Sequence, residues 1–272
     1  MNPNEIEYDY ECVPTVRDMA RDDSPIRSII GPFGSGKSVG LGPIEIIRRA
    51  KAQMPDPRDG IRRTRFTVVR KTYQELEDTT IKTFFDWLPP NYFGDYSKSD
   101  HDYNITAFPD MHIEIQFRAM DRPEHVRKVL SYEITGAFLN EAREIPWAII
   151  GPLYGRTGRY PKKIKKDGEL IHWCTWRGLW MDSNAPPLNH WLYRIHTKTK
   201  LTEHEIKMLK YWHTFNQPGG REPNAENRDN LPDDYYEMQA AIMSEDQIKV
   251  YIDNQYGYLQ TGKPCYSTWR DN

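Results

Sequence analysis

At positions 31–38 the chain reads Gly31-Pro32-Phe33-Gly34-Ser35-Gly36-Lys37-Ser38, a complete match to the pattern GxxxxGK[ST]. The glycines of such a loop let backbone N–H groups converge on phosphate oxygens, and the N-terminus of the following helix adds positive potential. The lysine bridges the β- and γ-phosphates, and the final hydroxyl ligates Mg²⁺. Every residue of this phosphate loop is therefore predicted to bind ATP, and Ser38 is also a predicted metal ligand.

The residues on either side of the loop fit a strand before it and a helix after it. An apolar run at 28–30 leads directly into the loop and predicts a buried first strand. Gly40, Gly42 and Pro43 interrupt the helix, and Pro43 is expected to kink or restart it. A strand, a loop and a helix in this order argue against a flexible Gly/Ser turn.

Length and composition are those of a globular protein. The 272 residues suffice for one large domain, or for one domain with a small appendage. The chain has no run of 18 apolar residues that could span a membrane, and its acidic start lacks the apolar stretch of a signal peptide. A net charge of −2 is not that of a static nucleic-acid binder. It does not exclude a motor that grips DNA locally and transiently.

Cysteines and histidines show no metal-binding pattern. Cys12, Cys174 and Cys265 lie far apart without a CxxC pair, so we expect reduced thiols in a cytoplasmic protein. The eight histidines are scattered without ligand spacing.

A second motif lies at 132–141, where the chain reads Tyr132-Glu133-Ile134-Thr135-Gly136-Ala137-Phe138-Leu139-Asn140-Glu141. This strand-like run ends where ATPases carry an Asp that holds the water shell of Mg²⁺, followed by a Glu that polarises the attacking water. Glu141 is therefore the predicted catalytic carboxylate. Asn140 has no charge, but its amide can still hydrogen-bond a metal-bound water. It is predicted to contact the cofactor and, through water, the metal.

The spacing of the two motifs predicts the fold class. Another apolar strand at 66–70 lies between them in the sequence, and the separation suits a sheet with an extra strand inserted between the phosphate strand and the acidic strand. The predicted fold is an α/β P-loop NTPase of the additional-strand catalytic-glutamate (ASCE) type. It has a central, mostly parallel sheet flanked by helices, and a small C-terminal helical lid. This arrangement favours water-activating ATPases over nucleoside kinases.

Together the motifs resemble the ATPase domain of large terminase subunits, the DNA-packaging motors of tailed bacteriophages and related viruses. The resemblance covers nearly the whole chain. Besides the phosphate loop, it rests on Val69-Arg70-Lys71-Thr72 with Leu76, on Gly136-Ala137-Phe138-Leu139-Asn140-Glu141-Ala142-Arg143-Glu144, and on Asp182-Ser183-Asn184-Ala185-Pro186-Pro187 followed by His190-Trp191. The last segment looks like the one that senses the γ-phosphate in terminases, which implies nucleotide contacts for Ser183 and Asn184.

The resemblance implies a motor that uses ATP and Mg²⁺ to move double-stranded DNA into a procapsid. Its expected partners are the portal protein, the small terminase subunit and further copies of the chain in a ring, expected to be a pentamer. The expected location is the cytoplasm of the infected bacterium and not the mature virion. Two departures matter: Pro32 and Phe33 stand where many terminases carry an arginine, and Asn140 replaces the commoner acidic residue.

A ring motor commonly completes its site with an arginine from the neighbouring subunit, which stabilises charge on the transferring phosphoryl group. Arg127, Arg156 and Arg159 are the candidates for this catalytic role. Arg127 ranks first because it comes just before the acidic strand, where terminases often place such a residue.

Three basic runs could meet DNA phosphates. They are Arg62, Arg63 and Arg65, then Arg70 and Lys71, and finally Lys162, Lys163, Lys165 and Lys166. The last run precedes Asp167-Gly168 and is explained equally well by a solvated hairpin tip.

The chain is expected to comprise an N-terminal extension (1–24), a P-loop ATPase core (25–215), a lid (216–260) and the start of a linker (261–272). Within the lid, one helix is expected from near Leu231 through Ala241 and another at 244–255, where Ser244 and Gln247 fit a capping box. The final segment resembles the junction to a terminase nuclease domain. We therefore expect an isolated motor half without nuclease activity.

Two other functions stay open from the sequence. One is a helicase or strand-exchange motor on single strands, against which the lack of a recognisable downstream helicase motif series argues. The other is an assembly subunit that binds ATP without turning it over, a possibility that Asn140 leaves open.

Overall fold

A computed structural model of the chain describes residues 7–258. At its centre is an eight-stranded sheet, and a separate two-stranded hairpin lies beside it. In the described part of the chain the strands are β1 Ile26–Ile30, β2 Arg62–Arg70, β3 Gly94–Ser97, β4 Asp102–Ile105, β5 Met111–Ala119, β6 Gly136–Leu139, β7 Ile164–Lys166, β8 Glu169–His172, β9 Gly178–Ser183 and β10 Trp212–Asn216.

The order of strands in the large sheet is β10-β1-β9-β6-β2-β5-β4-β3. The strands from β10 to β5 run parallel, and β4 and β3 extend the sheet antiparallel. The inserted strand is β9, which pairs with β1 on one side and with β6 on the other. β2 lies on the far side of β6. The carboxyl ends of β1, β9 and β6 therefore meet at one edge of the sheet, where open α/β sheets bind ligands.

Helices cover both faces of the sheet. The α-helices are α1 Pro14–Arg21, α2 Lys37–Val39, α3 Glu45–Lys51, α4 Tyr73–Glu75, α5 Ile81–Trp87, α6 Pro90–Phe93, α7 Val126–Val129, α8 Trp147–Tyr154, α9 Trp191–Thr197, α10 Glu203–Met208, α11 Tyr235–Ile242 and α12 Glu245–Gln247. Three π-helical stretches are Gly40–Ile44, Leu76–Thr80 and Ile248–Ile252, and 3-10 turns are Pro123–His125, Ala142–Glu144 and Arg228–Asn230.

Each face of the large sheet buries its own hydrophobic core. Ile29 of β1 packs in the core that contains Leu41, which follows the phosphate loop. Its neighbour Ile30 packs in the other core, with Val250 of the C-terminal segment. All residues of β1, β6 and β9 are buried, as expected for central parallel strands covered on both faces. Within residues 7–258, no helix combines the length and apolarity needed to cross a membrane.

The predicted fold class is confirmed, with local differences. The chain stays helical through Pro43, because a π-helical stretch absorbs the interruption. The acidic strand is shorter than the predicted run at 132–139 and begins at Gly136. Before it, Thr135 accepts from the backbone N–H of Gly158 at 3.2 Å, and Ile134 donates to Arg156 O at 3.4 Å. The N–H of Thr135 still donates to the Arg65 carbonyl of β2 at 2.7 Å, so the bonds to the segment after α8 end the regular pairing of β6 while Thr135 stays bonded to β2.

The regions at the two chain ends also differ in detail from the expectations. The predicted N-terminal extension contains α1, whose Val16 and Met19 are buried in the same core as Leu41. In the predicted lid, Ser244 and Gln247 form both bonds of a capping box at the start of α12. The predicted linker at 261–272 lies outside the described residues.

Candidate functional site

The phosphate loop joins β1 to α2 and curls around the amino group of Lys37. The Lys37 Nζ donates to the carbonyl oxygens of Gly31 at 2.9 Å and Pro32 at 2.7 Å, and to Ser35 Oγ at 3.0 Å. The side chain of Lys37 is buried. The loop therefore holds its single cation at the centre of a concave turn.

Glycines make this turn possible. Gly34 and Gly36 have φ angles of +70° and +77°, a left-handed region that glycine enters without steric cost. A Cβ atom on Gly36 would also lie 2.7 Å from a methyl group of Val13, which precedes α1. The loop thus has the backbone shape and the following helix that phosphate binding requires.

Two carboxyl groups lie beside the loop. Asp182 is near the end of β9, and Glu141 follows β6 by two residues. The Asp182 carboxylate is fully buried and accepts a hydrogen bond from the backbone N–H of Glu141 at 3.0 Å. It also accepts from Ser38 Oγ at 3.5 Å, which connects it to the predicted metal ligand of the loop. Adjacent strands have therefore brought Ser38, Asp182 and Glu141 together.

At the phosphate loop, the cation of Lys37 faces two acids, Asp182 and Glu141. Burial, together with the charge of Glu141, raises the pKa of Asp182 to about 6, although Lys37 opposes this shift. Burial lowers the pKa of Lys37, while Asp182 and Glu141 act in the opposite direction. The positive charge of Lys37 and the negative charges of the acids stabilise one another in a place that water reaches poorly.

Asn140 lies beside Asp182, and its hydrogen-bond partners fix the orientation of its side-chain amide. Its Oδ1 accepts from Arg70 at 3.2 Å and from Thr80 Oγ1 at 2.8 Å. Because a guanidinium can only donate, the amide oxygen must face Arg70 and the NH₂ group must face Asp182. The Nδ2 atom indeed lies 3.0 and 3.2 Å from the two Asp182 oxygens. The amide of Asn140 therefore donates to the carboxylate and turns its oxygen away from it.

Glu141 has a special backbone conformation and a free carboxylate oxygen. Its φ and ψ angles are 54° and 57°, in the left-handed region. Such strain costs on the order of 1–3 kcal/mol in a non-glycine residue and concentrates at functional sites. Its Oε2 is buried without a hydrogen-bond partner among residues 7–258. The position is thus set by the backbone, and one oxygen remains available as a proton acceptor.

Arg143 connects Glu141 to the C-terminal segment. Its Nε lies 3.9 Å from Glu141 Oε2, and its Nη2 donates to the hydroxyl of Tyr251 at 2.9 Å. Its guanidinium also lies 5.0 Å from the centre of the Tyr251 ring. A cation of the chain itself therefore stands next to the predicted catalytic carboxylate.

Arg70 borders a cavity of about 160 Å³ beside the phosphate loop. Other residues that line this cavity include Ser38, Thr80, Asn140 and Glu141. Arg70 also lies 3.9 Å from carboxylate oxygens of both Glu75 and Glu144. The structure thus places Arg70 in the site, and it removes this residue from the predicted DNA-binding surface.

The C-terminal segment packs directly on the phosphate loop. The ring of Phe33 stacks on that of Tyr251, with centroids 4.4 Å apart, and the Phe33 N–H donates to the Tyr251 carbonyl at 2.8 Å. The Tyr236 hydroxyl donates to the Phe33 carbonyl at 2.9 Å. Pro32 and Phe33, which replace the arginine expected from the resemblance, therefore serve as a contact surface between the loop and the lid segment.

Ser183 and Asn184 support the start of the same loop. The Ser183 carbonyl accepts from the N–H of Gly31 at 3.1 Å, and Asn184 Nδ2 donates to the Gly31 carbonyl at 2.8 Å. Both residues are buried. Their contacts hold Gly31 against β9, so any movement at the end of β9 reaches the phosphate loop directly.

A second cavity, of about 400 Å³, opens on the other side of the loop. Its lining includes Gly36, Val39 and Trp87, together with residues from both ends of the described chain: Tyr8, Cys12, Asn227 and Asn230. The aromatic and amide groups could hold a flat heterocycle next to the phosphate-binding turn. The sequence interpretation assigned no residue of the N-terminal extension to the site.

Two of the three candidate arginines, Arg156 and Arg159, lie away from the site of their own chain. Arg127 is exposed on α7, whose Val129 packs in the core on the face opposite Leu41. The backbones of Arg156 and Arg159 bond to Ile134, which precedes β6 at its amino end. At about 3.3 Å per residue, Ile134 lies roughly 20 Å along the chain from Glu141. Arg156 and Arg159 therefore cannot complete the site in the same chain.

The remaining predicted basic runs differ in whether their side chains form ion pairs. Arg62, Arg63 and Arg65 form ion pairs with Asp110, Asp59 and Glu114, respectively, so they do not make a free cationic patch. These ion pairs compete with the role of the three arginines as DNA contacts, which stays a prediction. Lys162, Lys163, Lys165 and Lys166 are exposed in and beside the β7–β8 hairpin, whose turn is formed by Asp167 and Gly168 with positive φ angles.

The phosphate loop after β1, the inserted strand β9 and the carboxylate after β6 define the fold class of an ASCE P-loop NTPase. No model of a protein family matches the sequence, and no curated protein matches it. Solved structures do match it.

The chain is similar to the large terminase of a thermophilic bacteriophage, with a TM-score of 0.64 and 13% identity over 93% of this chain and 54% of that one. That terminase has also been solved in complex with ADP and with ATPγS. The large terminase ATPase domain of Thermus phage P74-26 matches with a TM-score of 0.52 and 13% identity over 91% of this chain and 96% of the domain.

The bacteriophage HK97 large terminase gives a TM-score of 0.53 and 10% identity over 92% of this chain and 51% of its own. The chain thus spans about half the length of the complete terminases that it matches. At this level of identity the likeness establishes a shared fold, which confirms the predicted resemblance at the level of the fold.

The sequence interpretation missed three charged residues of the site. Asp182 lies in a segment that we quoted for its resemblance, but it received no role because the acid was expected after β6. Arg70 was counted among the surface basic residues, and Arg143 was not considered. The available signal for Asp182 was a carboxylate at the end of an apolar run, Gly178 to Met181.

Proposed function

We propose that this chain is the ATP-hydrolysing motor domain of a viral large terminase, which drives double-stranded DNA into a procapsid. One observation carries the enzymatic part of this proposal. Lys37 and Ser38 of the phosphate loop lie at the same sheet edge as Glu141, whose carboxylate keeps one oxygen without a hydrogen-bond partner in the described chain. Phosphate binding and water activation are therefore possible at one place.

The phosphate loop and Glu141 have separate roles in the proposed hydrolysis of ATP. The backbone N–H groups of the loop and the Lys37 ammonium bind the β- and γ-phosphates and withdraw charge from them. Mg²⁺, when bound with the nucleotide, neutralises charge on the phosphate oxygens. Glu141 accepts a proton from the attacking water. At the same time the water oxygen bonds to the γ-phosphorus, and the bond between the γ-phosphorus and the β–γ bridging oxygen breaks.

The cavity beside Gly36 and Val39 suits the base of the nucleotide. Support for the choice of ATP and ADP comes from the similar phage terminase that was solved with ADP and with ATPγS. The second cavity would then place the base between the N-terminal residues and the lid segment, so both ends of the described chain would respond to nucleotide.

The biological setting is proposed from the shared fold with large terminases. In that setting the chain acts in a ring of identical subunits, expected to be a pentamer, which docks on the portal protein and receives DNA with the small terminase subunit. Such a motor works in the cytoplasm of the infected bacterium and leaves before the virion is mature. The exposed lysines of the β7–β8 hairpin are the basic run that remains available for DNA phosphates.

Phosphate release by the wild type, Lys37→Ala and Glu141→Ala tests the enzymatic proposal. Lys37→Ala should lose both ATP binding and hydrolysis, because the loop loses its cation. Glu141→Ala should keep ATP bound and lose about 10²–10⁴-fold in rate, the usual contribution of a general base. The assay needs a protein concentration series, since an arginine from a neighbouring subunit is expected to contribute. Equal loss of ATP binding in both variants would contradict these roles.

A nucleotide-binding assembly subunit without turnover is the second candidate, and Asn140 is the observation that favours it. If wild-type protein binds ATP tightly but releases no phosphate at any concentration, with or without DNA, this function replaces the first. A helicase on single strands would instead reveal itself by separating a labelled duplex, which a packaging motor should leave intact.

A further inference from the structure

Asn140 and Asp182 form a pair whose charges are arranged in an unusual way. Leu139 of β6 pairs with Met181 of β9, so Asn140 and Asp182 are the next positions along two neighbouring parallel strands. Asn140, an amide, directly follows β6, where an acid was expected. Asp182, an acid, lies on the inserted strand β9. The amide NH₂ bonds both oxygens of the carboxylate.

The neighbours of this pair decide which side chain can serve a cation. The Asn140 oxygen is already engaged by Arg70 and Thr80, and it points away from Asp182. A Mg²⁺-bound water is a hydrogen-bond donor and needs an acceptor. The Asp182 carboxylate is such an acceptor, and it lies 3.5 Å from the Ser38 hydroxyl. Asn140 itself offers only its NH₂ group toward that carboxylate, which a metal-bound water cannot use.

The donor set fits Mg²⁺ bound together with a nucleotide. In residues 7–258 no group of three or more His, Cys, Asp or Glu side chains could hold a metal by itself. Mg²⁺ usually keeps several waters and binds through one or two carboxylates plus substrate phosphates. Ser38 and Asp182 supply oxygen atoms of that kind.

We infer that Asp182, from the inserted strand, supplies the carboxylate that holds the water shell of Mg²⁺ and so replaces the acid absent at Asn140. Asn140 then acts as a positioning residue, because its NH₂ group holds both Asp182 oxygens in place. An amide at 140 is also what the pair requires electrostatically. Two carboxylates about 3 Å apart would repel, and one of them would take up a proton. The inference rests on the nucleotide site of the proposed function.

Binding of the fluorescent nucleotide mant-ATP, measured with excess Mg²⁺ and with EDTA, tests this inference without requiring hydrolysis. The wild type should bind more tightly with Mg²⁺. In Asp182→Asn, the ratio of the affinity with Mg²⁺ to the affinity in EDTA should be at least about tenfold smaller than in the wild type. This is the effect expected when a group that orients a metal shell is lost. Its affinity in EDTA should stay close to that of the wild type, because the phosphate loop is unchanged.

The double variant Asn140→Asp with Asp182→Asn should regain most of the Mg²⁺-dependent gain, since it returns one carboxylate to the adjacent strand. Circular dichroism confirms folding of each variant, and the double variant decides the matter if Asp182→Asn does not fold. Asp56→Asn is the matched control: Asp56 is another buried carboxylate, bonded by Arg58 outside the site. This control should keep the wild-type gain.

The outcomes separate the two proposals. A folded Asp182→Asn protein with the wild-type Mg²⁺ gain, or a folded double variant without it, would overturn the role of Asp182 and leave the ATPase proposal standing. Wild-type protein that binds no mant-ATP under either condition would overturn the proposed function and this inference with it.

Discussion

Arg143 is placed to report the state of the lid segment to the catalytic carboxylate. Its guanidinium donates to the Tyr251 hydroxyl and lies 3.9 Å from Glu141 Oε2. Tyr251 in turn stacks on Phe33 of the phosphate loop. A short chain of contacts thus runs from the loop, through the lid segment, back to Glu141, the residue that we propose activates water.

Replacing Arg143 by alanine should lower kcat by about 10²-fold, because removing one preorganised donor from a catalytic site commonly costs that much. ATP affinity should change far less, since Arg143 does not touch the phosphate loop. The kcat of Arg143→Lys should lie between those of the wild type and Arg143→Ala, because a lysine cannot bond Tyr251 and face Glu141 at once. Steady-state kinetics separates these effects.

The control for this experiment is Arg221→Ala, which removes an exposed ion pair to Asp253 in the same segment. It should leave kcat near the wild-type value. If Arg143→Ala and Arg221→Ala behave alike, or if the Arg143 variant merely melts at a lower temperature with unchanged kcat, the proposed link between lid and carboxylate is wrong.

Individual residues were predictable from the sequence where a local pattern carries the chemistry. Lys37 and Ser38 belong to a contiguous loop, and Glu141 follows an apolar run, so their types and spacing indicate their proposed roles. Asp182 was not predictable in this way. Its function depends on which strand lies between β1 and β6, and that neighbour is 42 positions from Asn140 along the chain. No local pattern encodes such a contact.

At the scale of elements, β1, α9 and β10 are joined by a buried polar cluster. The His196 ring lies 2.7 Å from Ser28 Oγ and 3.1 Å from Asn216 Oδ1, and Trp212 Nε1 donates to the same hydroxyl at 2.8 Å. Asn216 Oδ1 accepts from Nδ1 of His196, so in the neutral ring Nε2 accepts from the Ser28 hydroxyl. Burial in this cluster favours the neutral imidazole.

Stability should therefore fall as the pH drops below 6.5. Burial lowers the pKa of His196 to about 4, against 6.5 in the unfolded chain. Between these values the unfolded chain binds a proton that the native state does not, so acid favours unfolding. Lowering the pH from 7 to 5 should cost about 2 kcal/mol through this residue alone. Urea titrations at both pH values measure the difference.

His196→Gln removes the titrating group and should show a smaller loss of unfolding free energy between pH 7 and 5 than the wild type. His204→Gln, at an exposed position of α10, is the matched control and should keep the wild-type difference. An unchanged pH dependence in His196→Gln would mean that the imidazole does not stay neutral in the folded protein.

Elements were predictable where the pattern is periodic or a cap is explicit. The runs before the phosphate loop and at 66–70 are strands, and the capping box at Ser244 begins α12. The strand before Glu141 is shorter than predicted because Ile134 and Thr135 also bond to the segment after α8. Helix α1 was missed because it starts at a proline and has no side-chain cap, although its apolar residues are spaced for burial.

At the scale of the whole molecule, the strand order decides what the site contains. Spacing along the sequence showed that a strand must be inserted between the phosphate strand and the acidic strand. It could not show that β9, rather than β2, takes this place. The choice brings Asp182, Ser183 and Asn184 against the loop and sends Arg156 and Arg159 to the opposite edge. Long-range pairing of this kind follows from global packing.

In the proposed ring, an arginine of a neighbouring subunit is expected to complete the site, and Arg127 is the first candidate. Alone, Arg127→Ala and Glu141→Gln proteins should each hydrolyse ATP poorly. An equal mixture should recover about a quarter of the wild-type rate, because in a symmetric ring one interface in four joins an intact Glu141 to an intact Arg127. Mixing Lys37→Ala with Glu141→Gln is the control. Both lesions lie in one site, so this mixture should stay inactive. Recovery with Arg156→Ala or Arg159→Ala instead of Arg127→Ala would transfer the role to that residue, and no recovery with any of them would contradict completion of the site across subunits.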